Sequence, residues 1–520
     1  GTDALSGNLS ASVQNICIGT QSGAAITTGQ KNVYVGNLAG YLADAEIGNV
    51  AIGTEAFSGA VNGADNCVAI GRNALKGAAA IDGTVAIGYK AAEALTNGQY
   101  NMAIGYASMK THTTGHRNIA IGYNSMYNTD AGTNTLASID NIFIGFNSGS
   151  GTWVETDSNS DSNYNTVVGN YTMAGALDGA IQNTAVGYSA LNDVTTANNN
   201  TAVGYLAGDG ITTGLANTAV GAYALSGVAL GSNVAIGYSS LQNSIGNYNV
   251  AVGVNSMYTS GTGGDPTDSD DITSQCVSLG AKALYLANTD GADGTVAIGY
   301  EAGESFIPIA TAGSGTTLIG YKCGNDSGDA AHGLTTGIQN TAVGHETLGA
   351  NAGAALTGSY NTVMGYRAGY GMNGASGNNT LIGTEAGDLI TTGSQNTCIG
   401  RNAGGTLVAN TGNTSIGYNS DHAAFNYQTA IGHSAVTQNI YETRVGYKGG
   451  FQFYSRDITC NLGGVAENDP AHATPLGKIP RYAVITRATA VVTTLSSDAN
   501  HTLKLVLSSS STGTDNTVLA

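Results

Sequence analysis

Short bursts of alternating apolar residues recur along the chain, each closed by a glycine: NTAVGYSA at 183–190, NTAVGYLA at 200–207 and NTAVGAYA at 217–224. With that glycine as position zero, 24 copies run from Gly19 to Gly446, most often 17 residues apart and spaced from 14 to 27 residues at the extremes. Position −3 is β-branched in 23 of the 24 copies, Met102 being the exception, and position −1 is apolar throughout. On a strand these two positions share a face, so copies stacked in register build two ladders. Seventeen residues is about what two short strands and two turns consume. Each copy therefore reads as one coil of a β-solenoid, with the longer spacings absorbed by surface loops.

The other positions fit the same picture. Position −2 is most often Ala, as in Ala51, Ala185 and Ala342, and position −4 is Asn in 17 copies, where stacked amides can bond along the rod and tolerate a turn. The glycine suits a bend or a close backbone approach. Position +1 is Tyr in 11 copies, followed by a small residue, a large apolar one and a polar turn such as TTG, which predicts a second, weaker strand. The tyrosines read as a stacking wall rather than a sugar-binding platform. As the structural core of the repeat the pattern nominates Ile52, Ile104, Ile121, Val186, Val203, Val220, Ile236, Ile298, Ile382 and Ile399. The fold class predicted is all-β: a parallel β-solenoid rod of about 24 coils over 1–446, roughly 115 Å long at ~4.8 Å per coil.

Composition narrows the function. Glycine contributes 77 of 520 residues and charged residues only 10%, yet the chain is rich in Val, Ile and Thr, which argues for ordered strands rather than disorder. A formal charge of −18 excludes nucleic acid as a partner, since phosphate binding needs clustered cations. No apolar run is long enough for a membrane-spanning helix, so no membrane insertion is expected. The chain opens at Gly1 without Met or a leader and reads as a processed or partial piece of something longer. The six cysteines show neither a CxxC nor a disulfide framework, and Cys17 and Cys398 stand where other copies carry small apolar residues, so they read as buried hydrophobes.

A search for chemistry yields little. Acidic residues concentrate in insertions such as TDSNSDSN (157–164) and DPTDSDD (265–271), which read as solvated loops rather than paired catalytic carboxylates. Asp268 and Asp270 alternate as in a calcium-binding loop, but lack the glycine and distal glutamate of an EF-hand. His112 and His116 flank THTTGH, and His345 and His433 take the usual tyrosine position; packing is the reading for these, with a metal on a three-fold axis as the alternative. No nucleophile elbow or P-loop occurs. The chain reads as no enzyme, with no cofactor and no metal.

NVAIG at 49–53, TVAIG at 84–88, NMAIG at 101–105 and NIAIG at 118–122 resemble the head repeats of trimeric autotransporter adhesins, and the NTAVGY version is similar to repeats of bacteriophage tail fibres. The resemblance covers roughly 15–446. It implies a left-handed β-roll, a homotrimer and a virion appendage assembled in the host cytoplasm, with other fibre or virion proteins and a host glycan or protein receptor as partners. Adhesin repeats are usually shorter and lead into a coiled-coil stalk and a barrel anchor; neither pattern occurs here, which favours the viral fibre over a bacterial surface adhesin. Ice binding is a third class, but a single Thr column at position −3, broken by Val234, Val250, Val277 and Val296, lacks a regular Thr-x-Thr face. Independently, a thin coil with apolar ladders on more than one face cannot bury all of them alone, which also points to a closed oligomer.

After Gly446 the repeat stops. Residues 444–520 carry 7 of the 17 Lys+Arg against 5 acids, a net +2 that leaves −20 for the rest, and Pro470, Pro475 and Pro480 cluster there. The stretches 481–495 and 501–508 alternate like two antiparallel strands. The organisation predicted is a transition segment at 447–480 and a sandwich-like domain at 481–520 that more chain or a partner completes. Receptor-binding candidates are Arg456, Lys478, Arg481 and Arg487, available to acidic surface sugars, and Trp153 in an insertion, because irregular regions can position distinct side chains as uniform rungs cannot.

Overall fold

A computed structural model describes residues 2–447 apart from 8–12, 61, 78, 130–137, 155–160, 228–229, 244–245, 259–273, 286–291, 307–314, 326–333, 350–354 and 424, together with the backbone of Phe451–Tyr454, Val506–Ser508 and Asn516–Val518. Each motif forms a short strand ending just before its glycine, from Ile16–Ile18 to Glu442–Val445. These strands join one 25-stranded sheet in which every adjacent pair but the last is parallel, with Thr184 beside Thr201, Ala185 beside Ala202 and Val186 beside Val203. The fold is a parallel β-solenoid, with no α-helix among the described residues. The first 22 strands, through Thr414–Ile416, mark its regular turns. The last two coils shorten, Asp421–His422 pairs with Val436–Thr437 on their second side, and Phe451–Tyr454 folds back antiparallel on Glu442–Val445. The sheet thus continues past the last motif glycine, and the first compact unit ends at Ser455.

The two faces of each strand differ from the sequence expectation. The middle residue points into the coil: Ala103, Ala185 and Ala342 are fully buried. The flanking residues lie outside, with Ile52 at 40%, Val186 at 37% and Ile236 at 39% exposure. All ten residues nominated as core, Ile52, Ile104, Ile121, Val186, Val203, Val220, Ile236, Ile298, Ile382 and Ile399, belong to these outward ladders and none is buried. The reason is volume. A slender coil has room for a small residue at −2 facing one large residue at +4, as Ala103 faces Met109 and Ala185 faces Leu191, all four fully buried. Where −2 is large, as at Tyr34, Phe143 and Leu318, position +4 is Gly40, Gly149 and Gly324; a Cβ would strike the ring at Gly40 or Gly149 and crowd Leu318 at Gly324. In these coils the interior keeps close packing by exchanging volume between the two positions.

The motif glycine behaves as expected. Gly187 has φ of 140°, and a Cβ there would collide with the carbonyl oxygen of Gly204 in the next coil. Three further corners per coil use left-handed backbone at ordinary residues, such as Gln182 (φ 61°), Ser189 (φ 51°) and Leu191 (φ 50°). Each is held by a bond between coils: Gln182 N–H donates to Asn163 O at 3.0 Å, Ser189 N–H to Asn170 O at 3.0 Å and Leu191 N–H to Ala207 O at 3.0 Å. Those bonds offset the local strain of about 1 kcal/mol or more per residue. The second side is therefore a stack of turns with a few isolated bridges, such as Ala80 with Asn97, rather than the second strand expected. The left-handed turn also sits at −5, one residue before the asparagine, not on it.

The asparagines form the predicted amide ladder. Asn200 Nδ2 donates to Asn183 Oδ1 at 3.1 Å and to Gly214 O at 2.9 Å, while its own Oδ1 accepts from Asn217 N–H at 2.8 Å and Asn217 Nδ2 at 3.0 Å. These side chains are buried, and the ladder satisfies backbone groups at the corner as well as the amides themselves. Within the second compact unit, 456–520, Val506–Ser508 pairs antiparallel with Asn516–Val518. The expected strand over 481–495 lies outside the described residues.

Candidate functional surface

The outward side of the solenoid carries three columns set by the repeat: β-branched at −3, aliphatic at −1 and aromatic at +1. The aromatic column is continuous from Tyr89 through Tyr106, Tyr123, Phe146, Tyr171, Tyr188, Tyr205 and Tyr223 to Tyr238, with Tyr171 and Tyr223 supplied from +2 and ring centroids 5.0–5.9 Å apart. A second run joins Tyr300, Tyr321, His345 and Tyr366, and a third joins Tyr418, His433 and Tyr447. His345 and His433 thus take a ring's place in the stack, as packing histidines. Cations lie over several rings, Arg72 over Tyr89 at 4.7 Å and Arg367 over Tyr370 at 4.9 Å. Stacking at these separations contributes about 0.5–1.5 kcal/mol per pair.

Trp153 is not on this surface. Its indole is fully buried, packs on Phe143 at 5.5 Å between centroids, and donates from Nε1 to Gly149 O at 3.1 Å. The glycine at 149 removes the usual large +4 side chain, and the Phe143–Trp153 pair fills the space. A tryptophan used this way cannot meet a receptor, so it leaves the list of binding candidates. Arg456, Lys478, Arg481 and Arg487 lie outside the described residues, as do Asp268 and Asp270.

Two histidines are interior. His112 Nδ1 pairs with Thr129 Oγ1 at 3.0 Å, and burial, aided by the nearby charge of His116, pushes its pKa down to about 4. His422 lies between Ser415 Oγ at 2.6 Å and Thr437 Oγ1 at 2.7 Å and is likewise lowered to about 4 by burial. The described cysteines are free thiols: Cys67 and Cys276 take the asparagine position and donate S–H to Ile81 O at 2.9 Å and Ala292 O at 3.1 Å. Burial pushes them up to about 11 and about 12, which keeps them protonated and unreactive. Burial, with Asp193 nearby, raises Asp209 to about 6. Among the described residues no three His, Cys, Asp or Glu side chains come together as a metal site would require, and no helix is long and apolar enough to cross a membrane.

What the sequence reasoning missed is that the β-branched and aliphatic side chains at −3 and −1 face outward, while the interior position −2 is most often Ala. No family model, curated protein or solved structure matches the chain.

Proposed function

We propose that this chain is a non-enzymatic structural fibre of a virion, a bacteriophage tail fibre or related appendage that mediates attachment to a host cell, and that it works as a homotrimer. One observation carries the reading: a half-exposed apolar column at −1 runs along the whole ladder, from Ile18 at 59% exposure to Val445 at 39%, uncovered by any described residue, and it is flanked at −3 by apolar residues from Ile16, 53% exposed, to Ile142 and mostly by Thr from Thr166 onward. Contiguous apolar surface on this scale marks an interface. The occupant with the same rung spacing and the same length is another copy of the chain. Three copies closed around an axis parallel to the rods turn every pair of columns inward, and closed symmetry avoids open-ended aggregation. The NTAVGY and NxAIG repeats support the fibre reading by their resemblance to viral and adhesin shafts.

Recognition of the host receptor, an acidic surface glycan or a protein, is assigned to 456–520 with Arg456, Lys478, Arg481 and Arg487; other virion proteins are the remaining partners. Labelled antibody imaged on purified virions and on bacterial cells tests the location: label on virions supports the fibre, and label confined to cell envelopes favours a bacterial surface adhesin. A chain ending at Ser455 tests the terminal assignment, because it keeps the described sheet whole. If that chain adsorbs to host cells as well as the full chain does, recognition lies on the rod instead.

A further inference from the structure

The aromatic column steps sideways after Tyr238. After Tyr238 the next two coils place Val254 and Ala281 at +1, and their aromatic rings appear four residues later, at Tyr258 and Tyr285, which stack on each other at 5.1 Å and 15°. Tyr223 and Tyr238 meet edge to face at 5.9 Å on the other side of the step. Between the two pairs the surface opens into a cleft of about 330 Å³, whose remaining lining is Ser239, Gln242 and Asn255. This volume is at the small end of the roughly 300–1,000 Å³ typical of ligand sites.

The chemistry of the lining is specific. The side chains of Ser239, Gln242 and Asn255 have no hydrogen-bond partner among the described residues, so two amides and a hydroxyl stand free to donate and accept. None of the described residues lining the cleft is charged. Tyrosine faces carry negative potential that attracts the polarised C–H groups of a pyranose, and free amides match adjacent sugar hydroxyls, each of which both donates and accepts. Lys282 Nζ lies over the Tyr285 ring, 5.7 Å from its centroid, beside the platform and outside the lining of the cleft. A wholly apolar ligand would strand the amides, at a cost of about 1–3 kcal/mol for each polar group left unpaired.

The geometry points to a subsite for a neutral glycan in this cleft, with Tyr258 and Tyr285 as the stacking platform and Gln242 and Asn255 as the groups that read hydroxyls. The inference goes beyond the fibre reading and does not need it: it places a neutral-sugar site on the shaft, separate from the acidic-sugar site assigned to 456–520.

The full-length protein is titrated by isothermal calorimetry with maltohexaose, mannohexaose and galactohexaose, and with a sialylated oligosaccharide as the charged control. At least one neutral hexaose binds saturably at millimolar or lower concentration, and Tyr285→Ala or Tyr258→Ala weakens it at least tenfold. Gln242→Ala, checked alongside in case a tyrosine variant misfolds, weakens it about threefold or more. Tyr106→Ala, in the regular part of the column, leaves it unchanged. The inference is overturned by no saturable binding of any of the three hexaoses, by binding of the charged control alone, by equal losses from Tyr106→Ala and Tyr285→Ala, or by full affinity in Gln242→Ala. A chain ending at Ser455 that keeps hexaose binding but no longer adsorbs to cells shows the two sites to be independent.

Discussion

Ala103 and Ile104 are adjacent on one strand and live in different worlds. Ala103 is sealed inside the coil against Met109, while Ile104 stacks on the outside between Ile87 and Ile121. The inner column fixes the coil; nothing among the described residues covers the outer one. Comparing them separates what makes one chain fold from what makes copies assemble, since a change inside acts on a single molecule and a change outside acts on the contact between molecules.

The sharpest break of that comparison is a charge on the inner column. Ala103→Asp places a carboxylate where no water and no cation reach, at a cost of about 4 kcal/mol or more. The midpoint of denaturant unfolding should drop accordingly, with loss of β signal in circular dichroism. The neighbouring change, Ile104→Asp or Ile236→Asp, should leave each chain's β signal intact and release it from the assembly, read as a fall in mass by light scattering. If both substitutions unfold the chain equally, the inside–outside distinction is wrong.

Acidification probes the interior without mutation. His112 is held neutral in the coil with a pKa of about 4, against about 6.5 when unfolded. Between those values the unfolded chain binds a proton that the folded coil refuses, so this group's contribution to stability falls as pH drops through about 6.5 to 4, while Asp209, raised to about 6, acts in the opposite direction below that value. The full shift corresponds to on the order of 3 kcal/mol from His112 alone. His422 acts in the same direction as His112. Unfolding midpoints at pH 7.5, 5.5 and 4 check this, and His112→Leu, which copies Leu95 at the matching position of the preceding coil, should flatten the profile. A smaller effect is expected at the corner: Asn200→Ala removes the amide that serves Asn183, Gly214 and Asn217 and should cost about 2 kcal/mol.

The rungs were legible because the period is short and recurs with every glycine, and the amide ladder followed from asparagine at a fixed offset. Which face of the strand turns inward was harder to read. Period two separates Ala103 from Ile104 without saying which is inside, and the habit of burying β-branched residues points the wrong way. The usable signal was the exchange of volume between positions −2 and +4, as between Phe143 and Gly149, which only residues sharing one interior would need. The same glycine accounts for Trp153: its position in an insertion suggested exposure, while the cavity that receives it depends on a missing side chain in the coil. Left-handed backbone at Leu191 could not be read from local preference at all, because bonds to the neighbouring coil impose it.

The central claim is that the outer columns meet other copies of the chain. Its most direct test is the mass of the purified full-length protein by sedimentation equilibrium across a hundredfold range of concentration. A homotrimer of the 52.0 kDa chain predicts about 156 kDa, unchanged on dilution into the micromolar range. A soluble, fully folded species that stays at 52.0 kDa throughout would contradict it, because the Ile and Val ladders would then face water with no partner.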